Sequence, residues 1–268
     1  MPWQENRLSV STRRRFRTGR WLPEPGTESP SVPPTVRLDS FLVGTGNRLA
    51  HHAVRELVEG SRPHQGTLGP IFLHGGLGLG KSHLLSGAAE ALQRQDKHLK
   101  VIHLTAERFV RRLTQAIRQK ELFLFQEQLQ TSEVFVMDDL ERLSGMKRTQ
   151  FELLCALDVL LERGGPLLLA GASHPRKMEG LDPRLADRLA SGLVLELLPP
   201  DHELRLALVR RFLQTYIEPG HPPVGEAVVT LLVERGPVSV RGLKGLCQQL
   251  VFEARAQGKE LDVPFCQS

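Results

Sequence analysis

The sequence predicts an α/β fold with a mostly parallel sheet flanked by helices, followed by a small all-α domain. Three observations carry the prediction. Short apolar runs alternate with amphipathic helical stretches between Leu38 and Leu198, the pattern of chains that bury a parallel sheet beneath helices. A glycine-rich loop joins the first apolar run to the helix after it, and beyond Pro199-Pro200 every stretch has helical periodicity. With 268 residues, 40% of them hydrophobic, the chain can build one large domain or two small ones, which excludes a disordered or metal-stapled mini-protein.

In chain order, Leu49, Ala50, Ala53, Val54, Leu57 and Val58 recur at helical spacing and Gly60 closes the stretch. Pro70 leads into the strand Ile71-Phe72-Leu73, and a helix from about Gly80 to Arg94 and a strand from Val101 to Leu104 follow. The next helix carries Ala106, Phe109, Val110, Leu113 and Ile117 on one stripe, and the strand Val134 to Met137 ends in two acids. Leu153, Leu154, Leu157, Leu160 and Leu161 mark a helix, and Leu167 to Gly171 a strand. Asp182 and Pro183 are the N-cap and first turn of a helix that stops before Gly192. The strand Leu193 to Leu198 completes the alternation, and helices over 201–216, 225–235 and 238–256 follow. The expected divisions are a basic, Pro-rich tail (1–37), an α/β domain (38–198), a helical domain (199–262) and a C-terminal tail (263–268).

The formal charge of +5 is unevenly placed. Residues 1–37 hold seven arginines (Arg7, Arg13, Arg14, Arg15, Arg17, Arg20, Arg37) against Glu5, Glu24 and Glu28, so four of the five net charges sit in the tail. Such a run is either a solvated disordered segment or an arm for nucleic acid or an acidic surface. Cys155, Cys247 and Cys266 are odd in number and far apart, which supports neither a disulfide framework nor a zinc site and makes a reducing cytoplasm the expected compartment. No apolar run reaches the ~18 residues of a membrane span, and Arg13-Arg14-Arg15 lacks the hydrophobic stretch of an export signal.

Gly75-Gly76-Leu77-Gly78-Leu79-Gly80-Lys81-Ser82 fits G-x-x-x-x-G-K-[ST] in full, between an apolar strand and an amphipathic helix where that motif must lie. Its glycines let the backbone wrap a phosphate with N–H groups inward, and the helix N-terminus adds partial positive charge. Lys81 would bridge the β- and γ-phosphates of ATP while the Ser82 hydroxyl would ligate Mg²⁺. Asp138, at the end of a buried strand, would hold the metal's hydration shell, and Asp139 would orient or polarise the attacking water. These motifs define a P-loop nucleoside triphosphatase.

Further motifs recur in order: Phe41-Leu42-Val43-Gly44-Thr45-Gly46-Asn47, then Phe72-Leu73-His74-Gly75-Gly76 through Lys81-Ser82-His83-Leu84-Leu85, Glu107-Arg108-Phe109-Val110, Asp138-Asp139, and Lys147-Arg148-Thr149-Gln150. From about residue 38 to 262 the sequence resembles the ATPase core of the bacterial replication initiator DnaA and its short relative Hda. The resemblance implies the AAA+ fold, in which nucleotide lies between an α/β domain and a helical lid, with Asn47 and His83 added to the loop residues. It also implies that Arg188 is an arginine finger reaching a neighbouring subunit's γ-phosphate and that Arg241 is the lid arginine called sensor 2. Ser173 stands where the family has a polar sensor 1 residue, an Asp in DnaA, and keeps a hydroxyl without the charge. Without the resemblance, Arg184 and Arg188 read as an exposed i, i+4 face pairing with Asp182 or Asp187, and Arg241 as a surface arginine.

Full-length relatives continue into a basic helix-turn-helix domain, whereas this sequence stops six residues after Asp262, so no duplex reader is expected. By position, the family's single-strand surface would use Thr114 and Arg148, with Lys147 beside them; the bland reading of the last two is a solvated helix face. Gln249-Leu250-Val251-Phe252 reads as lid-helix core rather than as a clamp-binding peptide. The implied function is slow, assembly-dependent ATP hydrolysis in the initiation of DNA replication or its control, in a self-oligomer or with full-length DnaA. Two alternatives stand beside it: an Hda-like regulator that stimulates ATP hydrolysis by DnaA, and a loader of the replicative helicase that grips single-stranded DNA.

Overall fold

The computed structural model describes residues 37–60, 69–218 and 224–267; the basic tail expected over residues 1–37 lies outside them apart from Arg37. The first region runs α1 (Arg48–Glu59), β1 (Ile71–His74), α2 (Lys81–Gln95), β2 (Val101–Thr105), α3 (Ala106–Gln119), α4 (Leu122–Gln130), β3 (Val134–Asp138), α5 (Lys147–Glu162), β4 (Leu167–Gly171), α6 (Pro183–Leu189) and β5 (Leu193–Glu196). The five strands pair in parallel in the order β2-β3-β4-β1-β5. β3 and β4 are buried at every residue and β1 at all but its last, whereas the edge strands β2 and β5 are only half-buried. That contrast follows from position, since an inner strand under helices must be apolar on both faces. Ile71, Leu73, Val136 and Leu168 pack with Val54 of α1 and Leu84 of α2, while the alternate residues Phe72, Phe135, Met137 and Leu169 are as fully buried on the other face.

Two local features depart from the periodicity. In α3, Ala106, Phe109, Leu113 and Ala116 are buried, but Ile117, read as part of that stripe, is 47% exposed. The chain leaves the helix at Lys120, which has a left-handed φ of 60°, and turns into α4. The opening Leu122-Phe123-Leu124-Phe125 of α4 is apolar at four successive positions and so shows no helical stripe. Phe125 anchors α4 by packing on Phe109, ring centroids 5.5 Å apart.

The helical lid comprises α7 (His202–Tyr216), α8 (Glu226–Arg235), α9 (Val240–Gln257) and α10 (Val263–Gln267). Val209, Leu213, Val229, Leu232, Leu243 and Cys247 form its core. α10 occupies the stretch read from sequence as a tail: Asp262 Oδ1 accepts from the Phe265 N–H at 2.8 Å, and Val263 and Cys266 pack on the lid core. Phe252, read as core, is 70% exposed, because the buried stripe of α9 runs through Leu243, Cys247, Val251 and Ala254 and position 252 falls beside it. The Arg205 guanidinium donates to the carbonyls of Pro237 (2.9 Å), Gly236 (3.1 Å) and Val233, satisfying acceptors at the end of α8 that the helix cannot pair itself.

Asp201 fastens the lid to the first region. Its Oδ1 caps α7 by accepting from the Leu204 N–H at 2.8 Å, and its Oδ2 accepts from both the N–H (2.8 Å) and the hydroxyl (2.7 Å) of Thr45. All three cysteines are free thiols. Among the described residues no helix is long and apolar enough to cross a membrane.

Phe135→Ala should cost about 3–5 kcal/mol of stability by denaturant titration, because a fully buried ring leaves a cavity at the sheet centre. The bonds from Thr45, first its hydroxyl, and from the Leu204 N–H hold the Asp201 carboxyl below its ordinary value of 3.8. Its contribution is therefore complete above that value and fades as pH falls through the lowered one. Asp201→Asn should lower Tm at pH 7, and the gap from wild type should close as the pH drops below about 4.

Candidate nucleotide-binding site

The loop after β1 is built on glycines, three of them in backbone conformations that other residues adopt only under strain. Gly75 has φ +142°, and a Cβ there would sit 2.3 Å from the Leu197 carbonyl oxygen; Gly78 (φ +73°) and Gly80 (φ +108°) are also left-handed. The wrap brings Lys81, the first residue of α2, to 8% exposure, with its Nζ donating to the carbonyls of Gly75 (2.7 Å) and Gly76 (2.9 Å). Leu79 is buried beneath the loop and Leu77 projects from it, 74% exposed. The first N–H groups of α2 have no helical acceptor. With the ammonium beside them they fit a polyphosphate.

β3 sets the acids. Asp138 is 5% exposed and its Oδ1 accepts from the Asp139 N–H at 2.8 Å. Asp139 takes a left-handed φ of 59°. Burial, then the charges of Asp138 and Glu141, push the Asp139 carboxyl above its ordinary range, against the pull of Arg142 and Lys81. This favours proton uptake. Asp138 and the exposed Ser82 offer the hard oxygen donors that suit magnesium.

Ser173 lies two residues beyond β4, whose Gly171 is in register with His74 of β1. The adjoining Ala172 N–H is held at 3.0 Å by Glu141 Oε2, a residue that carries no motif signal and that sequence reading missed. From the lid, the Arg241 N–H donates to the Gly78 carbonyl at 3.1 Å, and a Cβ on Gly78 would lie 2.7 Å from Arg241 Cβ. α9 therefore starts on the loop itself, capped by Ser239 Oγ, with the Arg241 side chain exposed. The structure thus gathers Gly75 to Ser82, Asp138, Asp139, Ser173 and Arg241 at one edge of the sheet.

The other sequence-derived candidates make the following contacts. The Asn47 side chain is consumed by its own turn, accepting from the Gly44 N–H (2.9 Å) and donating to the Leu42 carbonyl (3.1 Å). His83 Nε2 lies 3.2 Å from the Arg37 carbonyl oxygen, and the ring meets the edge of Phe41, which stacks on His51; burial lowers both histidines' pKa. These residues back the loop through Phe41, whose Cε2 would be 3.0 Å from a Cβ on Gly80. Arg184 pairs with Asp182 at 3.5 Å, as an exposed face would. Arg188 does not pair with Asp182 or Asp187: its Nε is 2.5 Å from Asp158 Oδ1 on α5, and Asp187 pairs with Arg176. Thr114, exposed on α3, bonds back to the Val110 carbonyl at 2.8 Å. Lys147 and Arg148 open α5, where Arg148 pairs with Glu152 at 2.8 Å.

Comparison with known proteins agrees with this geometry. Residues 33–196 match the family model described as the bacterial DnaA ATPase domain. The chain is 34% identical over 230 residues to the chromosomal replication initiator protein DnaA of Cereibacter sphaeroides, an alignment covering 85% of this chain and 50% of that protein. The chain thus spans about half the length of the curated relatives it matches. Domain III of the Thermotoga maritima replication initiation protein DnaA superposes with a TM-score of 0.78 at 29% identity, over 87% of this chain and 94% of that one. A replication initiator DnaA bound to AMPPCP and single-stranded DNA superposes with a TM-score of 0.74 at 27% identity, over 85% and 69%. On its sequence, its AAA+ architecture and its phosphate loop, the chain belongs to the bacterial DnaA ATPase-domain family.

Proposed function

We propose that the chain binds ATP and Mg²⁺ between its α/β domain and its lid and hydrolyses ATP slowly in an ATP-dependent assembly, acting in the cytoplasm in the initiation of DNA replication or its control. The observation that carries this reading is the seating of the lid helix α9 on Gly78 of a complete phosphate loop, beside the buried Asp138. Lys81 and the loop N–H groups would hold the phosphates, Ser82 and Asp138 the magnesium, and Arg241 would report nucleotide to the lid. Bound magnesium would neutralise charge developing on the phosphates. Asp139, with its raised pKa, would take a proton from the attacking water, and the Ser173 hydroxyl would orient that water or a phosphate oxygen.

Arg188 would complete the site of a neighbouring chain, a second copy or full-length DnaA. Its exposed position on a seven-residue helix suits a group offered outward. The DnaA neighbour bound to single-stranded DNA supports a weaker contact with single strands through Arg148, Lys147 and Thr114.

Lys81→Ala should lower ATP affinity by at least about 100-fold in calorimetric titration, since the loop loses its one phosphate-directed ammonium; unchanged affinity would refute the site. Gly78→Ala should weaken nucleotide binding about tenfold while leaving the α/β core folded, because the new methyl displaces α9 and strains a left-handed backbone. Limited proteolysis should then cut the lid faster than in wild type.

A further inference from the structure

Gln150 is 2% exposed and lies in the first turn of α5. Its Nε2 donates to the carbonyls of Leu143 (2.7 Å) and Gly180 (2.8 Å), and its Oε1 accepts from the Asp182 N–H (2.6 Å). A single buried amide thus spends both donors and an acceptor on two separate loops. Leu143 closes the 3-10 turn that follows Asp138 and Asp139. Gly180 and Asp182 lead into α6, and Asp182 in turn caps that helix through the Arg184 N–H at 2.9 Å. The loops are sewn together further by the Gly145 N–H on the Gly180 carbonyl (2.9 Å) and the Ser144 hydroxyl on the Glu179 carbonyl (2.8 Å).

A second contact lies farther along the same helix. Asp158, eight residues and so about 12 Å beyond Gln150 on α5, places an Oδ1 shielded from solvent 2.5 Å from Arg188 Nε, an ion pair that lacks the geometry of a hydrogen bond. From Asp182 to Arg188 the rise along α6 is about 9 Å, and the arginine side chain spans the rest. The two helices therefore run side by side in one direction, joined at α6's cap by Gln150 and at its functional arginine by Asp158. An arginine has many rotamers, and a fixed carboxylate on a rigid helix selects among them.

We infer that Gln150 and Asp158 are positioning residues that hold α6 on α5 and so aim Arg188, linking the turn after a chain's own paired acids to the arginine it offers its neighbour. The inference rests on the proposed role of Arg188. Gln150→Met conserves volume, removes the side-chain bonds to two carbonyls that keep their backbone donors Met146 and Gly145, and leaves the Asp182 N–H without its acceptor; Asp158→Asn, on a half-exposed residue, removes the charge with little risk to folding.

The test compares ATP turnover and nucleotide affinity of the full chain in wild type, Gln150→Met, Asp158→Asn, Arg188→Ala and each double with Arg188→Ala. Arg188→Ala should lower kcat at least about tenfold. Gln150→Met and Asp158→Asn should each lower kcat about fivefold with ATP Kd within about twofold of wild type, and neither should add to the loss in Arg188→Ala. Independently of turnover, amide exchange at Asp182 and Arg184 without nucleotide should speed about tenfold in Gln150→Met and stay at the wild-type rate in Arg188→Ala. Wild-type kcat in both Gln150→Met and Asp158→Asn beside a slow Arg188→Ala would overturn the inference, as would additive losses, weakened ATP binding or unchanged exchange. A wild-type rate in Arg188→Ala would instead overturn the role of Arg188, and the inference with it.

Discussion

Parallel pairing sends the C-terminal ends of all five strands to the same edge of the sheet, and the ladder's register decides which residues meet there. His74 lies opposite both Gly171 and Glu196, and Thr105 opposite Asp138. Neighbouring strands are about 4.8 Å apart, so the phosphate loop after His74, the acids after Met137 and the Ser173 segment after Gly171 emerge within a few such steps. A slip of one residue in β3 would turn Asp138 to the opposite face of the sheet. The chemistry at this edge is thus specified by apolar residues that never touch a ligand, Val136 and Leu168 among them.

The loop is shared property. Its carbonyls hold Lys81, Leu197 crowds it at Gly75, Phe41 backs it at Gly80, and the lid rests on it at Gly78. Because Gly78 touches Arg241 through the backbone, any shift of the loop is felt at the first turn of α9 whatever the arginine side chain does. Asp201 provides the complementary fixed point, where the lid's first helix is bound to Thr45. The lid's attachments thus include two of different kind, a charge-assisted knot at Asp201 and a close backbone contact with a hydrogen bond at Gly78, and the second is the one in contact with the phosphate loop.

Much of this was legible in the sequence because it is local. The loop glycines, Lys81, Asp138 and the cap at Asp182 announce themselves within a few residues, and every strand was found from an apolar run. What stayed hidden depends on distant partners. The His83 ring meets the Arg37 carbonyl and Phe41, about forty residues earlier in the chain. Arg188 looked set to pair with carboxylates on its own helix but meets Asp158, thirty residues earlier in the chain. Gln150 sat inside a recognised motif without a role, since its partners Gly180 and Asp182 are about thirty residues away. α4 escaped because an unbroken apolar tetrapeptide has no period, and α10 because five residues are too few to show one.

The strand order has a further consequence, in time rather than in space. β1 comes first along the chain yet lies inside the sheet, and its partners β4 and β5 begin at Leu167 and Leu193. A chain emerging from the ribosome at about 5–20 residues per second needs roughly 6–25 s after β1 to deliver both neighbours. During that interval Ile71, Phe72 and Leu73 lack their ladder, and the glycine loop after them is an unshaped segment. The nucleotide cradle therefore cannot complete its shape until β5, far beyond it along the chain, has been made.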